Sequence, residues 1–170
     1  MMRRTTILAA ALAAITGCAR PADLTPSHRA AIIDSVGTML AAFRAAADSL
    51  DPDSVASFYV PDSTFRWIED GVIRYTSRDE IAAAYRGVVG TVTATRLLYD
   101  GTVITPLAPG VAAVVAGFAQ QFTMRDGMQG GFAGAITAVV VHRPAGWQFL
   151  QGHTSSVGAE TPRLTPRPEE

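Results

Sequence analysis

The sequence predicts an α+β domain in which helices from its first half pack on one face of an antiparallel sheet built from its second half. Three observations carry that expectation. Apolar residues recur at spacings of three and four as far as Tyr85. Beyond Gly90 the period changes to two, in stretches rich in Val, Thr, Phe and Ala. Pro- and Gly-containing breaks then cut this second half into long segments with short connections, the signature of an antiparallel meander.

Thr25 is placed to cap the first helix, Pro26 suits its first turn, and the pattern runs to Leu50. Ile32, Val36, Met39, Phe43, Ala47 and Leu50 form one apolar stripe, with Arg29, Asp34, Arg44 and Asp48 largely off it. Asp51-Pro52 restarts the chain as a short helix ending near Tyr59, and Pro61-Asp62 breaks it. Thr64–Ile68 and Val72–Thr76 read as short strands joined around Asp70-Gly71, a hairpin signal. Ser77 and Glu80 form a capping box for a third helix that carries Ile81, Ala84 and Tyr85 and is expected to stop at Gly87. The long strands are predicted over Thr91–Thr105, Val111–Met124, Gly131–Arg143 and Trp147–Ser156.

The two ends of the chain speak about address. Arg3 and Arg4, an apolar run from Ile7 to Ile15 and the small residues Thr16 and Gly17 have the layout of a secretory signal, too short to span a bilayer. Ile15-Thr16-Gly17-Cys18 resembles the bacterial lipobox, which implies cleavage and acylation of Cys18, so the chain is expected to be an exported lipoprotein of the cell envelope. The expected organisation is a signal over residues 1–17, a tether over 18–26, one domain over 27–157 and a disordered tail over 158–170, where prolines and glutamates replace apolar residues. Cys18 is the sole cysteine, so an internal disulfide is excluded and packing must hold the fold. Removal of residues 1–17 takes two of the 14 basic side chains and none of the 15 acidic ones, leaving a formal charge of −3. With no basic patch, nucleic acid is not an expected partner.

The order helix, short helix, hairpin, helix and four long strands resembles the nuclear transport factor 2-like superfamily, which includes ketosteroid isomerases and polyketide-cyclase-like proteins. Two stretches carry the likeness. Phe58-Tyr59-Val60-Pro61-Asp62-Ser63-Thr64-Phe65 resembles the family's passage from the second helix into the first strand. Trp147-Gln148-Phe149-Leu150-Gln151-Gly152-His153-Thr154-Ser155 is similar to its last strand. The resemblance covers roughly residues 27–157 and implies a strongly curved, cone-shaped (cystatin-like) roll whose wide end is closed by helices around a cavity. Strict alternation would then put Trp147, Phe149, Gln151, His153 and Ser155 on the concave face of the last strand, and Val114, Ala116, Phe118, Gln120 and Phe122 on that of the second long strand. A bulge would shift such an assignment by one residue.

The isomerase branch needs a carboxylate base inside the cone. Alignment on Tyr59 and Asp62 puts Trp67 at the position the resemblance assigns to it, and an indole cannot abstract a proton at neutral pH. Glu69 and Asp70 fall in the predicted hairpin turn and are expected to face solvent. The three histidines are too far apart, and too poor in spaced carboxylates, to make a metal site, and no cofactor is expected. Ser155 beside His153 makes no triad, and no nucleophile elbow or phosphate loop is present. Tyr59, Trp67, Tyr85, Gln120 and His153 are the expected lining of a ligand pocket, with His153 buried. Three functions stay open: a binding module for a small apolar molecule without catalysis, an enzyme of the cyclase or isomerase kind using His153, and a structural module with a filled cone. The resemblance implies a homodimer formed through the sheet for the last.

Overall fold

A computed structural model describes residues 24–157. The expected signal over residues 1–17, the expected acylation site Cys18, most of the tether and the tail over 158–170 lie outside the described residues. Within them the elements are α1 (Pro26–Asp48), α2 (Pro52–Ser57), β1 (Arg66–Glu69), β2 (Val72–Tyr75), α3 (Arg78–Thr91), β3 (Val92–Ala108), β4 (Val111–Met124), β5 (Gln129–Arg143) and β6 (Gly146–Val157).

The helix starts follow local chemistry. The Thr25 hydroxyl accepts from the His28 N–H, the Asp51 carboxylate from the Asp53 and Ser54 N–H groups, and the Ser77 hydroxyl from the Glu80 N–H. Glu80 reaches back to the Thr76 N–H, one residue before the expected partner, at 2.6 Å. The end of α3 does not follow local chemistry. The helix runs through Gly87 and Gly90 to Thr91, because Arg125, from the β4–β5 turn, donates to the Val89 and Gly90 carbonyls at 3.0 and 2.7 Å. A cation thus satisfies the orphan carbonyls of that last turn.

The strands form one six-stranded sheet in the order β2-β1-β6-β5-β4-β3. The sheet is mixed rather than wholly antiparallel, since β1 runs parallel to β6 and pairs Trp67 with Gly152 and Glu69 with Thr154. The β1–β2 hairpin is therefore added to the free edge of the last strand, a junction no local pattern announces. α1 lies across β3 and β6, and α3 packs beside α2. On β4, Ala112, Val114, Ala116 and Phe118 are buried on the helix-covered inner face, while Val115 is 49 % exposed on the outer one. α1 is long and apolar enough to cross a bilayer, yet Val36, Met39, Leu40 and Phe43 are buried against the sheet.

Two irregularities set which side chains face inward. In β3 the register breaks between Asp100 and Val103, so that Leu97 and Tyr99 point inward before the break and Ile104 and Pro106 after it. In β6, Phe149 pairs with Val140 and Gln151 with Val139, leaving Leu150 as the extra residue of a bulge. Beyond that bulge the parity is inverted, and the expected face of the last strand is corrected accordingly.

Candidate functional site

Between α3, the hairpin and the inner face of the sheet lies a cavity of about 600 Å³. Its floor is a knot of rings. Tyr59 meets Phe43, Phe65, Trp67 and Phe149 at centroid distances of 6.0, 5.5, 5.4 and 5.3 Å, and Trp67 meets Phe149 at 5.5 Å. Most of these contacts are edge-to-face, which favours the positive rim of one ring against the negative face of the next. The indole of Trp67 lies directly on β6. A Cβ on Gly152 would come within 2.2 Å of it, so only glycine lets the ring lie there. The walls rise through Leu97, Phe118 and Ile136 to a mouth edged by Met124, Phe132 and Val157.

All four tyrosines of the chain, Tyr59, Tyr75, Tyr85 and Tyr99, face this cavity. Among the described residues no side-chain or backbone group hydrogen-bonds any of their hydroxyls, and no buried polar side-chain atom is sealed away without a partner. The hydroxyls therefore keep their hydrogen-bonding capacity for the cavity's contents. Burial holds every one of them in the neutral form. Tyr85 is pushed up to about 12 by desolvation and then by the nearby Glu69 carboxylate. Tyr59 and Tyr99 are raised as well, by burial first and Tyr85 second, and Tyr75 by burial and then Glu69.

The carboxylate in question was expected in solvent. Glu69 instead lies two residues beyond Trp67 on β1, shares its face and lines the cavity, because β1 is long enough to include it. Burial raises its pKa, offset in part by the Arg74 guanidinium, whose Nε is 3.7 Å from Oε2, while Asp70 pushes the same way as burial. Asp70, at the turn, accepts from the Ser156 N–H at 2.6 Å and also borders the cavity. The alternation that linked Trp67 to Glu69 was visible in the residues; assigning Glu69 to the turn hid it.

Of the expected lining, Tyr59, Trp67, Tyr85 and Gln120 are brought together around the cavity. The Gln120 amide donates to the Thr95 hydroxyl at 2.8 Å, which fixes its orientation. His153 is not among them. The bulge at Leu150 turns Gly152, Thr154 and Ser156 inward, so His153 lies half-buried on the outer face between Thr137 and Ile68. A catalytic role built on His153 inside the cone has no geometric basis. The cone is not filled either, which removes the basis for a filled structural module.

A family model described as the SnoaL-like domain matches residues 28–151. The chain belongs to the SnoaL-like domain family. The fold of this SnoaL-like domain is shared with solved structures of the nuclear transport factor 2-like superfamily. A candidate scytalone dehydratase from Novosphingobium aromaticivorans is 15 % identical, with a TM-score of 0.71 over 82 % of this chain and 97 % of that one. A nuclear transport factor 2-like superfamily protein from Salmonella enterica is 16 % identical, with a TM-score of 0.66 over 83 % and 99 %. A protein with a cystatin-like fold from Caulobacter vibrioides is 23 % identical, with a TM-score of 0.60 over 74 % and 89 %. At such identities the likeness speaks for the α+β fold and leaves the chemistry to the residues. No curated protein matches the SnoaL-like domain described here in sequence.

Proposed function

We propose that this SnoaL-like domain is the ligand-binding part of an exported lipoprotein, holding one small, largely apolar molecule in its cone without transforming it. The observation that carries the reading is the pairing of a cavity of about 600 Å³ with tyrosine hydroxyls that no group among the described residues partners. An apolar cleft with a few convergent polar groups is the usual form of a small-molecule site. The rings of the floor are locked by one another, so the pocket is formed before the ligand arrives and little ordering cost falls on binding. Cys18 would tether the domain to the envelope membrane through its lipid, with the cone free to the outside.

Native mass spectrometry of the purified protein tests the binding reading. Wild type is expected to carry a small molecule, and Ala84→Trp, which fills the cavity from α3, to lose it while keeping a cooperative melt. A wild type that comes out empty and fails to bind any member of an aromatic and terpenoid panel would end this reading. Cys18→Ser should move the protein from the membrane fraction to the soluble one, or leave it unprocessed; an unchanged distribution rules out the lipid anchor.

A second reading is favoured by Glu69. A half-buried carboxylate with a raised pKa beside tyrosine hydroxyls is equipped for proton transfer to a bound molecule. It differs from the expected enzyme in its residue, since His153 lies outside. Turnover of a bound molecule that vanishes in Glu69→Gln, with binding retained, would move the function from holding to catalysis.

A further inference from the structure

The charge of the cavity wall narrows the ligand. Among the described residues, no arginine or histidine lines the cavity, and the chain contains no lysine at all. Two carboxylates do, Glu69 and Asp70. Asp70 is committed to the Ser156 N–H at 2.6 Å. Among the described residues the Glu69 carboxylate has one partner, Arg74, whose Nε lies at 3.7 Å, a long contact from a side chain that is 59 % exposed. A surface pair of that kind contributes little and leaves the carboxylate available.

Rings surround this charge. Trp67 stands two residues before it on the same strand face, and Tyr59, Tyr75 and Tyr85 are near enough to feel its field. The negative faces of aromatic rings attract cations and repel anions. An anionic molecule entering the cone would meet a carboxylate that only an exposed arginine partly offsets, and ring faces, with no cation among the described lining residues to receive it. A positively charged one would meet a carboxylate, π faces and phenol oxygens able to accept hydrogen bonds. The positive groups in the vicinity, Arg74 beside Glu69 and Arg44 near Tyr99, both lie outside the lining.

We propose that the cone selects an organic cation, a protonated or quaternary amine carried on an aromatic or branched apolar body, with Glu69 as counter-ion and the surrounding rings as a cation–π wall. This specifies the ligand class and rests on the reading of the cone as a ligand site. The amine nitrogen would sit at the hairpin side of the cavity, against Glu69, and the apolar body would extend towards Phe118 and Ile136.

A matched series separates charge from shape: phenylbutylamine, phenylbutanol and phenylbutanoate share one body and differ in the head group. Calorimetric titration of the full-length chain is expected to give the amine about tenfold higher affinity than the carboxylate, with the alcohol between them. In Glu69→Gln the preference for the amine over the alcohol should shrink to about twofold or less. In Arg74→Gln, which frees the carboxylate from its competing cation, amine affinity should rise by about two- to fivefold. The carboxylate binding as tightly as the amine would overturn the proposal. So would a preference unchanged in a folded Glu69→Gln, or an amine affinity that stays level or falls in Arg74→Gln. If the alcohol binds as well as the amine, the cation inference fails while the ligand site stands. If none of the three binds, both fall together.

Discussion

The floor and the upper wall of the cone both carry aromatic rings and behave differently. At the floor, Phe43, Tyr59, Trp67 and Phe149 are nearly or fully buried and meet ring to ring at 5.3–6.0 Å. Higher up, Tyr75, Tyr85 and Tyr99 stand around open space, joined by Glu69, and at the rim Phe132 and Val157 are 38 % and 62 % exposed. Close packing at the floor supplies dispersion and hydrophobic burial. The upper wall forgoes those contacts and leaves polar groups unpaired. The difference teaches that this fold concentrates its stability under the cavity and leaves its recognition chemistry above, so the two can be altered separately.

The largest effect is expected at the floor. Phe149→Ala removes a fully buried ring that touches Phe43, Tyr59 and Trp67, and should cost about 3–5 kcal/mol in chemical denaturation. A cost below about 1 kcal/mol would mean that the knot does not hold the cone together. Gly152→Ala comes next. Its methyl would overlap the Trp67 indole at 2.2 Å, and overpacking of this kind costs about 1–3 kcal/mol. A shift in Trp67 fluorescence should accompany the loss, and an unchanged spectrum with unchanged stability would place the indole elsewhere.

Alkaline pH probes both regions at once. Tyr85 titrates near 12 in the folded state, and Tyr59 and Tyr99 are also raised. Each raised phenol contributes stability that is complete below the free value of about 10 and is lost as pH rises through the folded value. The urea midpoint should therefore be level up to about pH 9.5 and fall steadily above it. A flat profile to about pH 12 would show that the phenols are as solvated as free tyrosine.

Smaller effects are expected on the upper wall. Burial of Glu69 raises its pKa, so its protonated form favours the fold and that stability is lost as pH rises through the folded value. Glu69→Gln should accordingly raise Tm slightly at neutral pH, by about 1–2 °C, and have no such benefit in acid. A drop in Tm would show that the contact with Arg74 outweighs desolvation. Tyr85→Phe is expected to change stability least, by less than about 0.5 kcal/mol, because its hydroxyl has no partner among the described residues to lose. Its signature should appear instead as weaker ligand binding, read by the same calorimetry.

Much of the framework was legible in the residues. The caps at Thr25, Asp51 and Ser77, the stripe from Val36 to Ala47 and the change of period after Gly90 are local signals, and local chemistry decided those elements. The inward set on β4 followed from plain alternation, since β4 and β5 pair without a register break. The same reasoning failed on β6 because one bulge at Leu150 inverted the parity and sent His153 outward. It failed at Glu69 because strand ends are set by partners. β1 continues through residue 69 by pairing with β6, a strand far away in the chain. The end of α3 likewise waited on Arg125.

The residues alone determined that this is a helix-then-sheet domain, which segments supply its core, and that Tyr59, Tyr85 and Trp67 are available to a cone. The tertiary structure decided which of them share a space, that Tyr75, Tyr99 and a carboxylate join them and that no cation among the described residues lines it. The physical reason is range. Caps and periodicity act over a few residues and are written in the chain, whereas facing within a curved sheet depends on pairing between distant strands, where one extra residue turns every following side chain over.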